Sequence, residues 1–167
     1  PCAAVIEGLE MVLESVAADT GQVNRFVHGT TVATNIVLER KGAHTGLMTT
    51  RGFADVLEIG RQMRTNIYEL ELDPETPVFL APGARRVEID ERVSADGVII
   101  EPLQEGSVRS AVRALVDEGV TSIAVCLLFS FLNPAHERRV REIIEQEKPG
   151  ITVSLSCEVD PAFREYE

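Results

Sequence analysis

"TSIAVCLLFS", residues 121–130, is the stretch on which the fold turns. Within it, Ile123 to Phe129 is the longest apolar run in the chain, with a strand's length and without the polar alternation of a sheet that has one wet face. Such a run marks a strand buried on both faces, the condition of an inner strand in a parallel sheet. Reading outward, Asn133-Pro134 opens a helix that carries Val140, Ile143 and Ile144 on one side. After Pro149-Gly150, the alternation of Ile151, Val153, Leu155 and Cys157 predicts a half-buried strand. Upstream, "SVRSAVRALVDEG" places Val108, Val112, Leu115 and Val116 on one helical face, with Ser107 as the expected N-cap and Gly119 as the stop. Helix, strand, helix, strand is the order of an α/β protein with a mainly parallel sheet and flanking helices.

The first half repeats that order. Val5, Ile6, Leu9, Val12, Leu13 and Val16 recur at helical spacing, a short strand is expected at about 24–28, and a helix at 31–40 closes at Gly42. A strand follows at 44–49, then a short helix in "RGFADVLEIGR" with Phe53, Val56, Leu57 and Gly60 on one side. From 61 to 84 the periodicity stops, and Pro74, Pro77 and Pro82 fix φ and remove donors, so the stretch reads as a surface loop. "RRVEIDERVSADGVIIEPL" alternates Val87, Ile89 and Val93, turns at Ser94-Ala95-Asp96-Gly97, and resumes with Val98, Ile99 and Ile100, which predicts a small β-hairpin. The expected organisation is one α/β domain over 1–167 with a loop and hairpin excursion at about 61–104. The sequence enters a helical pattern at once and stops at "AFREYE" as another helix begins, so it reads as a fragment of something longer.

Sixteen basic residues against 27 acidic ones give a formal charge of −11, which disfavours nucleic acid and anionic membrane surfaces as partners. The basic residues form only short pairs, at Arg85-Arg86 and Arg138-Arg139. Cys2, Cys126 and Cys157 are far apart and odd in number, which argues against a disulfide framework or a zinc site and fits a reducing, cytoplasmic setting. No apolar run reaches the ~18 to 20 residues needed to span a bilayer, and no metal site is expected.

The candidate chemistry is concentrated at His28-Gly29-Thr30-Thr31, which falls where a strand would hand over to a helix. In open α/β sheets ligands sit beyond the carboxyl ends of strands, where helix N-termini offer free N–H groups. Gly29 would let a ligand approach the backbone, and the two threonine hydroxyls could bond a phosphate or a carbonyl. Equally, one threonine could be the N-cap of the next helix. Thr34 and Asn35 follow one turn on, and Asn35 could also bond locally. His28, His44 and His136 have no partner at metal-ligand spacing. Arg51, Arg61 and Arg64 flank the third helix as anion ligands or as surface ion pairs. Glu158, Asp160, Arg164 and Glu165 follow the last strand, and Asp160 with Pro161 also fits a helix start. There is no G-x-x-x-x-G-K, no G-x-G-x-x-G and no G-x-S-x-G.

"HGTTVATNIVLERKGAHTGLMTTRGFADVLEIGRQ", 28–62, strongly resembles the N-terminal region of the hydantoinase A and 5-oxoprolinase family, and "RRVEIDERVSADG", "GVTSIAVCLLFSFLNPAHE" and "SLSCEVDPAFREYE" are similar to its later blocks in the same order. The resemblance implies part of an actin-like, ribonuclease H-like ATPase fold. It also implies an ATP-dependent cyclic amidohydrolase subunit that opens hydantoin, N-methylhydantoin or 5-oxoproline, with a ketone carboxylase or a non-catalytic partner-binding ATPase module as alternatives. In that chemistry ATP would phosphorylate an amide or enolate oxygen. ATP and Mg2+ are implied for the full-length parent, together with a second, B-type hydantoinase subunit. The family's Asp- and Gly-rich phosphate motifs are not in these residues, so the 167-residue piece is expected to bind no nucleotide tightly and to be inactive alone. By the same resemblance His28, Gly29, Thr30, Thr31, Asn35 and Arg61 are the substrate- or nucleotide-cleft candidates, with the catalytic residues unassigned.

Overall fold

In the computed structural model, which describes residues 2–39, 41–59 and 81–163, the apolar run lies inside a four-stranded parallel sheet. The chain divides into two units, 1–39 and 40–167.

The first unit starts with α1 (Cys2–Ser15); of the six apolar residues expected on one face, Val5, Leu9 and Leu13 are half-buried, whereas Ile6, Val12 and Val16 are exposed. A 3-10 turn at Thr20–Gln22 follows, closed by a capping box: the Asp19 carboxylate accepts Gly21 N–H at 3.1 Å, and Gln22 Oε1 accepts Asp19 N–H at 3.0 Å. The strand expected at 24–28 is not formed, and 23–31 is neither helix nor strand. An extended segment becomes a strand only when its backbone groups meet a neighbouring strand, and this one pairs with none of the described strands. The helix expected at 31–40 is α2 (Val32–Glu39).

The second unit holds the sheet. Its strands are β1 (Thr45–Thr50), β2 (Arg86–Ile89), β5 (Ser122–Cys126) and β6 (Thr152–Leu155), in the order β2-β1-β5-β6 and all parallel. The short α3 (Val56–Ile59) follows β1, and β3 (Arg92–Val93) pairs antiparallel with β4 (Ile99–Glu101). The helices α4 (Glu105–Asp117) and α5 (Ala135–Glu147) flank β5 in sequence, and α6 (Ser156–Val159) follows β6.

The inner strand β5 departs in part from its sequence reading: Ile123 and Val125 are buried, but Ser122, Ala124 and Cys126 on the other face are only half-buried, so the strand is not enclosed on both faces. Ile123 and Val125 are fully buried in one core with Val108, Val112 and Leu115 of α4, Val140, Ile143 and Ile144 of α5, and Leu155 of β6. Gly46 is required by packing, since a Cβ there would lie 2.7 Å from Leu115 Cδ2. The apolar run outlasts the strand: Leu127 and Leu128 are buried in a turn, and Phe129 adopts φ 59 so that the chain can reverse into α5. A bulky residue in the left-handed region is uncommon. Bonds from Ser130 N to Leu127 O and from Leu132 N to Phe129 O hold it there.

Three local readings are corrected. Val87 and Ile89 belong not to the hairpin but to β2, an edge strand beside β1, because Met48 aligns with Val87 and Thr50 with Ile89. The hairpin itself is confined to β3 and β4 around the Ser94–Gly97 turn, with Gly97 at φ +76. Gln104, not Ser107, is the N-cap of α4, since the Ser107 hydroxyl donates to Gln104 O and accepts Asp90 N–H. Asp160 closes α6 instead of opening a helix. Gly60, residues 61–80 with Arg61, Arg64, Pro74 and Pro77, on which the expected loop falls, and Arg164 and Glu165 lie outside the described residues.

Ile123→Ala is expected to lower stability by ~2 to 5 kcal/mol, read from the midpoint and slope of urea unfolding. A cost under ~1 kcal/mol would be incompatible with a central buried strand.

Candidate functional site

His28, Gly29, Thr30 and Thr31 lie in the irregular run ahead of α2, and Asn35 lies in its first turn. Val32 N–H donates to the Thr30 hydroxyl at 3.2 Å, and Asn35 N–H donates to the Thr31 carbonyl at 2.8 Å. Thr30 is thus the capping side chain, while Thr31 serves the helix through its backbone and its hydroxyl has no partner among the described residues. A Cβ on Gly29 would meet nothing within 4 Å, so packing does not require that glycine. Arg61, the sixth candidate, lies outside the described residues.

The second polar concentration is at the carboxyl edge of the sheet, where the parallel strands all end on one side. Thr50 closes β1, Glu91 follows β2, and His136 and Glu137 occupy the first turn of α5. All four side chains are buried. The Thr50 hydroxyl donates to Glu91 Oε1 and accepts Leu128 N–H at 3.1 Å, and His136 Nδ1 lies 2.7 Å from Glu91 Oε2. Beside them, Glu137 is fully buried. Its Oε1 accepts Leu127 N–H at 2.9 Å and the Ser156 hydroxyl at 2.6 Å, and its Oε2 accepts Cys157 N–H at 2.9 Å. Ser130 Oγ stands 2.9 Å from Ser156 Oγ.

The loop after β1 is fastened to β2. Glu88 Oε1 accepts the N–H groups of Gly52 and Ala54 at 2.9 and 3.1 Å, Arg51 pairs with Asp90 at 2.6 Å, and the Arg92 guanidinium lies 4.8 Å from the Phe53 ring centre. Arg51 is thereby a surface ion pair. His44 Nδ1 is 3.0 Å from Gly119 O, a structural bond between β1's lead-in and the end of α4. Burial, reinforced by the Glu137 carboxylate, pushes the Cys157 thiol up to about 12, so it is a poor nucleophile near neutrality. Glu158 forms a two-pronged pair with Arg141 at 2.9 and 2.6 Å, and the Arg141 hydrogen bonds hold its carboxyl below the usual range. Among the described residues no three His, Cys, Asp or Glu side chains group as metal ligands, and no helix is long and apolar enough to cross a membrane.

The Thr50–Glu91–His136 set was not anticipated, because Glu91 and His136 are 45 residues apart and no spacing rule links them. The available signal was the placement of two ionisable residues, His136 and Glu137, directly after Pro134 in the buried first turn of a helix.

A family model described as the hydantoinase/oxoprolinase N-terminal region matches residues 1–148. The chain is 37% identical to the acetophenone carboxylase gamma subunit of Aromatoleum aromaticum over 98% of its own length and 24% of that protein. It is 33% identical to the 5-oxoprolinase of Saccharomyces cerevisiae over 96% of its length and 15% of that protein. The crystal structure of ATP-dependent caprolactamase from Pseudomonas jessenii superposes with a TM-score of 0.80 at 29% identity, covering 98% of this chain and 24% of that one. The chain therefore spans a quarter or less of the length of these relatives.

Glu137→Ala leaves two buried backbone donors without an acceptor and is expected to cost roughly 2 to 5 kcal/mol, measured by denaturant unfolding. At pH 8 iodoacetamide should leave Cys157 unmodified in the folded protein and alkylate it once urea is added, as read by peptide mass spectrometry. Rapid alkylation without urea would contradict the raised thiol.

Proposed function

The chain belongs to the hydantoinase/oxoprolinase N-terminal family, and from that premise we propose that the full-length protein carrying it is the ATP-using subunit of an enzyme that opens a cyclic amide. The observation that carries this reading is the likeness to ATP-dependent caprolactamase along almost the whole chain. Amide resonance makes a lactam carbon a weak electrophile and its nitrogen a poor leaving group. Phosphorylation of the carbonyl oxygen by ATP answers both problems. Candidate rings are hydantoin, N-methylhydantoin, 5-oxoproline and caprolactam.

In this proposal His28, Gly29, Thr30, Thr31, Asn35 and Arg61 line the substrate or nucleotide cleft of an actin-like ATPase core. Two observations support it: Gly29 is spared a Cβ for no packing reason, and the Thr31 hydroxyl is unengaged among the described residues. Mg2+ would accompany ATP, and the described residues offer no cluster of ligands for it. The reading includes a cytoplasmic enzyme and a second, B-type subunit. Exposed Val98 and Ile100 on the β3–β4 hairpin favour a contact role for that hairpin in such a complex.

A second reading, ATP-dependent carboxylation of a ketone, is favoured by the higher identity to acetophenone carboxylase than to 5-oxoprolinase. ATP turnover by the full-length protein with its partner subunit, supplied in turn with N-methylhydantoin, 5-oxoproline, caprolactam and acetophenone with bicarbonate, separates the two. Stimulation by a ring supports the hydrolase, stimulation by the ketone alone supports the carboxylase, and stimulation by none leaves a partner-binding module. In the active enzyme Thr31→Val should lower turnover at least ~10-fold while changing stability by less than ~0.5 kcal/mol, whereas Thr30→Ala should cost ~1 kcal/mol of stability through the lost cap. Parallel loss of folding and turnover in Thr31→Val would return that residue to a capping role.

A further inference from the structure

His136 is 7% exposed, in the first turn of α5 at the carboxyl edge of the sheet. Both oxygens of Glu91 accept hydrogen bonds, one from the Thr50 hydroxyl and one from the ring. Thr50 in turn accepts Leu128 N–H, so its own proton is committed to Glu91. The protons of this chain all point at the Glu91 carboxylate. That assigns a ring proton to Nδ1, so that in the neutral imidazole the lone pair is on Nε2. Nε2 has no hydrogen-bond partner among the described residues, and no buried side-chain nitrogen or oxygen there lacks one, so Nε2 reaches solvent.

Thr50 has a structural use in accepting Leu128 N–H, but the Glu91–His136 pair itself takes up no backbone group among the described residues. A buried carboxylate and imidazole cost desolvation that apolar side chains of similar volume would avoid. No third metal-binding side chain joins the pair among the described residues. An imidazole oriented by a carboxylate, with its far nitrogen unpartnered, is instead the arrangement that makes histidine a proton acceptor.

We infer that His136, oriented by Glu91 and Thr50, is the base that takes the proton released in the reaction proposed above, on which this assignment rests. In ring opening, the water O–H bond breaks as its oxygen bonds the carbonyl carbon, and the proton passes to Nε2. The ring C–N electron pair then departs with nitrogen, which takes the proton back from the imidazolium, and the acyl phosphate left on the carbon is hydrolysed by a second water to carboxylate and inorganic phosphate. In ketone carboxylation the proton is the one on the carbon next to the carbonyl, and its electron pair forms the enolate. In both, the Glu91 carboxylate faces the imidazolium.

The test is His136→Asn in the full-length protein with its partner subunit, since the shorter side chain keeps a donor for Glu91 and removes Nε2. Product formation from whichever ring or ketone the wild type accepts should fall ~10²- to 10⁴-fold, with KM for ATP little changed and Tm within a few degrees. An unchanged kcat, or a loss that merely follows the fraction unfolded, overturns the assignment. Should the variant fail to fold, the wild type is treated with diethyl pyrocarbonate. Modification of His136 that abolishes turnover and is blocked by substrate supports the role, whereas an unreactive His136, or modification without loss of turnover, overturns it. Wild type that turns over neither ring nor ketone removes the proposed function and this role with it. An active wild type with an equally active variant removes only the role of His136.

Discussion

The Glu137 carboxylate is the fixed point of the sheet's carboxyl edge. Ladder bonding runs out where β5 and β6 end, and the N–H groups of Leu127 and Cys157 would be stranded there. One buried carboxylate takes both, together with the Ser156 hydroxyl. An unpaired carboxylate in an apolar interior is costly, so its burial is tolerated only because these donors converge on it. The first turn of α5 is thereby anchored to two strand ends at once. Because His136 is the neighbouring residue, the same anchoring sets the ring against Glu91.

The core was legible because its signals are local. Helical spacing in α4 and α5 and apolarity in 123–129 both report burial, but β5 alternates, with Ile123 and Val125 buried and Ser122, Ala124 and Cys126 half-buried, so the continuous run overstated the cover on its second face. The errors share a cause as well. Val87 and Ile89 alternate like a hairpin arm, yet their partner is β1, far upstream. Residues 24–28 have the composition of a strand and pair with none of the described strands. Ser107 and Asp160 are good cap residues used for other bonds. Local pattern gives the type of a segment, whereas pairing is decided by residues that sequence distance hides.

The candidate site divides along the same line. The Gly29-Thr30-Thr31 corner was visible as a motif, and the structure separates its two hydroxyls into a capping one and one unengaged among the described residues. The Thr50–Glu91–His136 set could not be assembled from sequence, because its members lie in three distant segments and only His136 carried a local signal. The acidic surplus is partly organised into pairs across α4 and α5. Glu105 is held below its usual range by hydrogen bonds from Arg139, and Glu147 by those from Arg109 and Arg113. These exposed pairs contribute little stability individually.

The strand order has a consequence for how the molecule assembles. β5 lies between β1 and β6, but Thr45 of β1 aligns with Ser122, whereas Ser122 aligns with Thr152 only a helix away. Closing the longer loop costs more entropy before any contact repays it. The β5–α5–β6 segment is therefore the economical nucleus, and β1 waits for it. During synthesis, β1 and β2 leave the ribosome before their central neighbour exists. Until residue 126 emerges, Leu47 and Met48 have an open strand edge beside them, which makes this early half of the sheet the segment most in need of protection from aggregation.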